Sequence, residues 1–220
     1  MPDHMSSPEV LIQNLASDLR PVRRLAPPAL RAFGWLAVVG ALAVALACFA
    51  DLGAMVRRLT AAPDMWLAVA GSTLTAILAA IAAFETSLPD RKPAWALLPV
   101  PGLLLWVGAS GLGCLRVWVL PGTHPAALVE ARDCLVFILG VSLPLSILLV
   151  LMLRRGYPLR PNLTAATGGL AAAAAAATLL NFFHPYDAAA TDLVVHAGAV
   201  ILVVLAGRAF SGRLFRDPDV

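Results

Sequence analysis

The sequence predicts an all-α membrane protein, a polytopic six-transmembrane-helix bundle preceded by a short cytoplasmic N-terminal amphipathic helix. Hydrophobic residues make up 60% of the chain and charged residues 13%, with a mean hydropathy of +0.84. An ordinary soluble domain carries about 25% charged residues. The apolar residues also fall in blocks of about twenty, the length needed to cross a bilayer core about 30 Å thick.

Residues 1–31 form a cytoplasmic arm, in which we expect a helix over about residues 8–20. Ser6 and Glu9 have capping-box spacing, and a proline lies in the expected first turn. One face of this helix is apolar and consists of Leu11, Ile12, Leu15 and Leu19. Such a short helix is marginal in water, so this face needs a surface to bury it. The bilayer interface, the protein's own cytoplasmic loops and a groove on another protein remain open.

The transmembrane domain is expected to extend over residues 32–211, followed by a cytoplasmic tail over 212–220. Four of its apolar blocks contain no charged residue, the first has Asp51 at its edge, and the sixth ends near Arg208. The predicted spans are residues 32–52, 65–84, 94–114, 134–153, 163–183 and 190–210.

Small residues in two spans predict where helices pack closely, since lipid provides no hydrophobic drive between helices. They repeat every four residues in the fifth and first spans, at Ala165, Gly169, Ala173 and Ala177, and at Ala37, Ala41 and Ala45. Both stripes predict helix-packing faces.

Prolines and tryptophans add local expectations. Pro99 and Pro101 in the third span, and Pro144 in the fourth, are expected to kink their helices. Trp35 lies near the start of the first predicted span, where tryptophans commonly anchor a helix at the membrane interface.

The basic residues predict the orientation. Of the 16 Lys and Arg residues, 12 lie in the arm, the second and fourth loops and the tail, whereas 4 lie on the other side. By the positive-inside rule, both termini are cytoplasmic. The expected location is the inner membrane of a bacterium.

The spans lack the chemistry of a conduit or an enzyme. Pumps and channels need ionisable groups at membrane depth, and His196 is the one titratable side chain other than cysteine expected to enter the core. No nucleophile–base pair, phosphate loop or cofactor fingerprint is present, so we expect neither catalysis nor a cofactor.

Cysteines and histidines are concentrated toward the predicted outer side, where we single out Cys114, Cys134, His184 and His196. Thiols and imidazoles are soft-metal ligands, but these residues lack compact ligand spacing and leave a metal site undetermined. An alternative function is therefore a small membrane transporter or metal-handling protein that uses Cys134, His184 and His196.

Three stretches resemble the NrsF-like family of anti-sigma factors. In the arm they comprise Leu11-Ile12, residues 15–19 (LASDL), residues 21–25 (PVRRL) and Pro27-Pro28. Asp133-Cys134 with Pro144 comes next, and the last stretch is residues 154–161, which read RRGYPLRP. The resemblance implies a protein that holds an extracytoplasmic-function sigma factor at the membrane and releases it on an outside stress signal, without binding nucleic acid directly. The partner-binding residues it implies lie in the arm: Leu11, Ile12, Leu15, Asp18, Leu19, Arg23 and Arg24.

The resemblance also implies an outer sensing pair, and here the chain departs from the family pattern. Cys134 matches one family cysteine, whereas His184 occupies the place of the second. A disulfide between these two positions is therefore impossible. Redox or metal sensing must combine Cys134 with His184, use Cys114, or be absent.

Overall fold

The computed structural model describes residues 8–17, 24–61, 63–119, 128–156 and 158–183, together with residues 198, 201, 202, 205 and 209. The described residues are mainly helical and contain no strand. The elements in chain order are α1 (Pro8–Ser17), α2 (Pro28–Ala47), α3 (Leu52–Ala61), α4 (Pro63–Thr86), a 3-10 helix (Pro93–Leu97), α5 (Val100–Val119), α6 (Leu128–Arg154) and α7 (Pro161–Leu180). The predicted all-α fold class is confirmed.

Five helical segments are long and apolar enough to cross a membrane. They correspond to the first five predicted spans, although the first begins at Pro28 rather than at Ala32 because proline is well tolerated in a first helical turn. The sixth predicted span lies outside the described residues, except for five separate helical positions. Six spans therefore remain a prediction. The five segments are Pro28–Ala47, Pro63–Thr86, Pro93–Gly113, Leu135–Arg154 and Pro161–Leu180.

Pro99 and Pro101 were expected to kink the third span, but they separate it into two helices instead. The 3-10 helix ends at Leu97, and α5 begins at Val100, so Pro99 and Pro101 flank the start of α5. Proline lacks an N–H donor, which costs nothing in the first turn of a helix. Pro144 lies inside α6, which continues to Arg154.

Helices α4 and α7 form the centre of the described bundle. Helix α4 packs most extensively against α7 and α5, α6 packs against α7, and α2 packs against α4. The alanine run of α7 is buried throughout, which confirms the predicted packing face of the fifth span. Alanine side chains allow the surrounding backbones to approach without losing helical propensity.

Helices α4 and α5 pack with their backbones in close contact, and two glycines make this possible. A Cβ atom at Gly71 would lie 2.5 Å from the backbone nitrogen of Trp106, and one at Gly102 would lie 2.8 Å from that of Thr75. These two glycines, one on each helix, therefore let the backbones touch. No larger residue fits at either position without separating the helices.

Helix α2 packs through a different face from the predicted one. The alanine stripe is exposed, and the buried residues are Arg31, Ala32 and Trp35. The expectation that Trp35 anchors the membrane interface is also wrong. Its side chain is 0% exposed, and its indole nitrogen donates a hydrogen bond of 3.1 Å to the carbonyl of Leu145 on α6. The earlier start of α2 carries Trp35 two turns into the helix, where it reaches α6.

Helix α3 occupies the loop after the first span and was not predicted. The residue that indicates the start of this helix is Asp51. Its carboxylate accepts a hydrogen bond of 2.9 Å from the backbone N–H of Ala54, as an N-cap does. The Arg58 guanidinium donates a hydrogen bond of 2.9 Å to the carbonyl of Asn181, directly after α7. This bond ties α3 to the end of α7.

The glycine contact yields a stability prediction. Gly71→Ala should lower the free energy of unfolding by about 1–3 kcal/mol, since the added methyl meets the backbone of α5 rather than a flexible side chain. The measurement is thermal unfolding of the purified protein in detergent. Gly108→Ala is the matched control, because nothing lies within 4 Å of a Cβ atom at Gly108. Equal shifts for the two variants would contradict the proposed contact.

Candidate partner-binding site

Helix α1 displays an apolar face that no other described part of the chain covers. The exposed fractions of its large apolar residues are 49% for Val10, 52% for Leu11, 65% for Ile12 and 63% for Leu15. Every side chain described in this helix is exposed. An apolar helix left in contact with solvent is typical of a segment that binds another surface.

The apolar residues of α1 form a stripe. Leu11 and Leu15 are four residues apart, so they occupy the same face on successive turns, and Ile12 lies beside them. Gln13 lies on the opposite face. Near the end of the helix, the Ser17 hydroxyl donates a hydrogen bond of 2.8 Å to the carbonyl of Asn14.

The remaining arm residues are only partly described. Asp18, Leu19 and Arg23 lie outside the described residues, as does the stretch between Ser17 and the predicted helix end near residue 20. Arg24 is described and is exposed, in the irregular segment that leads to α2.

Arg31 fixes the base of the arm to the bundle. It lies in the first turn of α2 and is 8% exposed. Its guanidinium donates a hydrogen bond through Nη2 to the carbonyl of Met152 on α6, and it lies 5.0 Å from the ring centroid of Phe84 on α4. The sequence does not predict this contact, because Arg31 falls at the end of the polar arm, before the first predicted span.

An ion pair at the same end of the bundle joins α4 to the following loop. The carboxylate of Glu85 is 3.1 Å from Nε of Arg91, and Glu85 is only 8% exposed. Nη1 of Arg160 donates a hydrogen bond of 2.9 Å to the carbonyl of Arg91. Two buried threonines complete the junction, since the Thr164 hydroxyl donates to the carbonyl of Thr86 at 3.1 Å. The starts of α2 and α7 and the ends of α4 and α6 therefore meet around the base of the arm.

Two of the proposed sensing residues, Cys114 and Cys134, lie in helices at the opposite end of the bundle. Cys114 lies in α5 and Cys134 in α6, although their side chains are not among those described, and His184 and His196 lie outside the described residues. One turn after Cys134, the ring of Phe137 packs against that of Phe183, with centroids 6.0 Å apart. Phe183 immediately precedes position 184.

The fold and site define a helical membrane protein that presents an exposed apolar helix at one end of its bundle. The family model described as NrsF, negative regulator of sigma F, matches residues 15–216. The chain belongs to this family, which confirms the resemblance seen in the sequence. It is therefore a negative regulator of a sigma factor, and a sigma factor is its partner. No curated protein and no solved structure matches the chain.

The family match bears on the arm directly. It begins at Leu15, inside α1, and includes the segment through Arg24. Leu11 and Ile12 precede the matched region but share the exposed face of Leu15. The family assignment favours a regulator over the alternative of a small transporter.

Proposed function

We propose that this protein holds an extracytoplasmic-function sigma factor at the inner membrane through its cytoplasmic arm, and that a stress signal at the outer face releases it. The observation that carries this proposal is the uncovered apolar face of α1 in a member of a family of sigma-factor regulators.

The physical chemistry of α1 favours a protein groove over the bilayer surface. Burying a leucine or isoleucine side chain is worth about 1.5–3 kcal/mol, so the stripe has a substantial gain to make on binding. Helices that lie in the membrane interface are typically rich in Lys and Arg on their polar face. The described helix Pro8–Ser17 has neither, so its own polar face adds no attraction to anionic lipid. A helix-in-groove mode fits these properties better.

The charge distribution supports a cytoplasmic arm. The side that carries 12 of the 16 basic residues includes the arm itself. A sigma factor acts on RNA polymerase in the cytoplasm, so a regulator that binds it must present its binding segment there. Both considerations favour the same orientation, with the two termini inside and the sensing residues outside.

Helix α6 supplies a physical connection between the two ends. It carries Cys134 near its start, and near its end the carbonyl of Met152 accepts the Arg31 hydrogen bond at the base of the arm. The 18 residues between these positions extend over about 27 Å of helix. A signal releases the sigma factor only if it stabilises a state that binds the factor less tightly. We propose that chemistry at Cys134, with His184 beside Phe183, shifts α6 and thereby α2 and the arm.

The arm proposal predicts that Leu15→Asp weakens retention of the sigma factor at least about tenfold, because a charged side chain would replace an apolar anchor in the groove. The measurement is the amount of extracytoplasmic-function sigma factor that co-purifies with the full-length membrane protein. Leu15 is exposed, so the substitution should leave the bundle folded.

Gln13→Asp is the matched control for this variant. It introduces the same charge on the opposite face of α1 and should retain the sigma factor as the parent protein does. Unchanged retention in Leu15→Asp, or an equal loss in Gln13→Asp, would contradict binding through the apolar stripe.

The sensing proposal predicts that Cys134→Ser abolishes stress-dependent release while leaving basal retention intact. The reason is that serine is nearly the same size but neither forms disulfides nor binds soft metals well. Release is measured as sigma-dependent transcription after oxidant or metal stress. Cys48→Ser is the control, because Cys48 is exposed near the end of α2. A normal response in the Cys134 variant would rule out a role for this thiol.

A further inference from the structure

Arg31 lies in an unfavourable environment for a charged residue at the edge of a membrane span. Its side chain is more than nine-tenths buried, and Nη1 of its guanidinium is buried with no hydrogen-bond partner. The neighbouring Nη2 is satisfied by Met152, and the ring of Phe84 lies against the cation. A buried donor without a partner costs free energy, and buried donors on a charged group cost more than neutral ones.

The charges around Arg31 do not compensate it. Of the two described carboxylates at this end, Glu85 pairs with Arg91, and Asp90 lies exposed in the loop after α4. Arg155 directly follows α6, three residues after Met152, whose carbonyl accepts the Arg31 hydrogen bond, so the two positive charges lie near each other and repel. Two cations without an anion between them are costly in a partly desolvated place, and a bound anion would relieve both the repulsion and the missing hydrogen bond.

The surroundings of Arg31 indicate the kind of anion. Leu30 and Phe33, in the first two turns of the same helix, are 59% and 68% exposed and lie on the side of α2 that faces away from its buried residues. This surface suits acyl chains, and it lies where a span meets the headgroup layer. A guanidinium also matches phosphate oxygens geometrically, through two parallel N–H donors.

We propose that Arg31 and Arg155 bind the phosphate group of an anionic phospholipid at the end of the bundle that carries α1. In this arrangement the phosphate lies at the exposed Arg155, and the Arg31 guanidinium turns from its buried position so that Nη1 donates to a phosphate oxygen. The acyl chains extend along the exposed apolar side of α2 that carries Leu30 and Phe33. Basic pockets between transmembrane helices recognise lipid headgroups in this way. The proposal does not depend on the sigma factor or on sensing at the other end.

The test uses the full-length protein purified in detergent. Phosphatidylglycerol, phosphatidylcholine and inorganic phosphate are each added in separate titrations, and thermal stability and native mass spectra are recorded. Phosphatidylglycerol should raise the melting temperature and remain bound in the mass spectrometer. Phosphatidylcholine and inorganic phosphate should do neither at the same concentration.

Two variants locate the site. Arg31→Gln should weaken the phosphatidylglycerol effect about tenfold or more, since it removes charge-assisted hydrogen bonds. Because Arg31 is buried, Arg155→Gln serves as a second variant that leaves the packing intact, and it should weaken the effect about fivefold. Arg57→Gln, on exposed α3 at the opposite end, is the control and should bind as the parent does.

Three results would overturn the proposal. Equal stabilisation by phosphatidylcholine would show that the headgroup charge is irrelevant. Equal stabilisation by inorganic phosphate would show a free-anion site rather than a lipid site. If Arg31→Gln does not fold, an unchanged response in Arg155→Gln decides against the site by itself.

Discussion

The backbone contact between α4 and α5 is the constraint on which the rest of the bundle depends. Gly71 and Gly102 let the two helices touch, and α7 packs along α4 through its alanines. In lipid, where apolar surface gains little by being buried, such close van der Waals contact supplies much of the association energy. Apart from Glu85 at the end of α4, the buried residues described in α4 and α7 carry no charge, so the ionic contacts described in this bundle lie at its ends.

At the end of the bundle next to the arm, the ionic contacts lie around the start of α2, the helix that follows the arm. Arg31 contacts both α4 and α6, and Glu85 with Arg91 secures the turn after α4. In the proposed function, movement of these helix ends would be passed to the arm through this attachment. This arrangement gives a regulator what it needs, namely an exposed binding helix whose base is held by the bundle. The coupling itself requires two states of the bundle with different affinities for the partner.

The sequence predicts the fold class well because the length and apolarity of each span follow directly from bilayer thickness. Rotation of a span about its axis is harder to predict, since every face of α2 is apolar and hydropathy does not distinguish lipid from a neighbouring helix. The alanine stripe of α2 is therefore exposed, while Trp35 finds a carbonyl acceptor on α6. The apolar face of α7 was predictable because nearly all of its residues are small.

The candidate site likewise has one part that the sequence predicts and one part that it does not. The stripe of Leu11, Ile12 and Leu15 follows from helical periodicity in a polar segment, and the structure leaves it uncovered. The environment of Arg31 depends on contacts between residues more than 50 positions apart in the chain, Phe84 and Met152, and no local pattern contains that information. The family match confirms what the resemblance in the sequence implied, that the partner is a sigma factor.

The most direct test of the account is site-specific photo-crosslinking in living cells, with a photoreactive amino acid placed at position 15 or at position 13 of the full-length protein. If the apolar stripe of α1 binds the sigma factor, position 15 should crosslink to it strongly and position 13 weakly, and stress should remove the crosslink. Equal crosslinking at both positions, or none at position 15 while the sigma factor remains membrane-bound, would contradict the account.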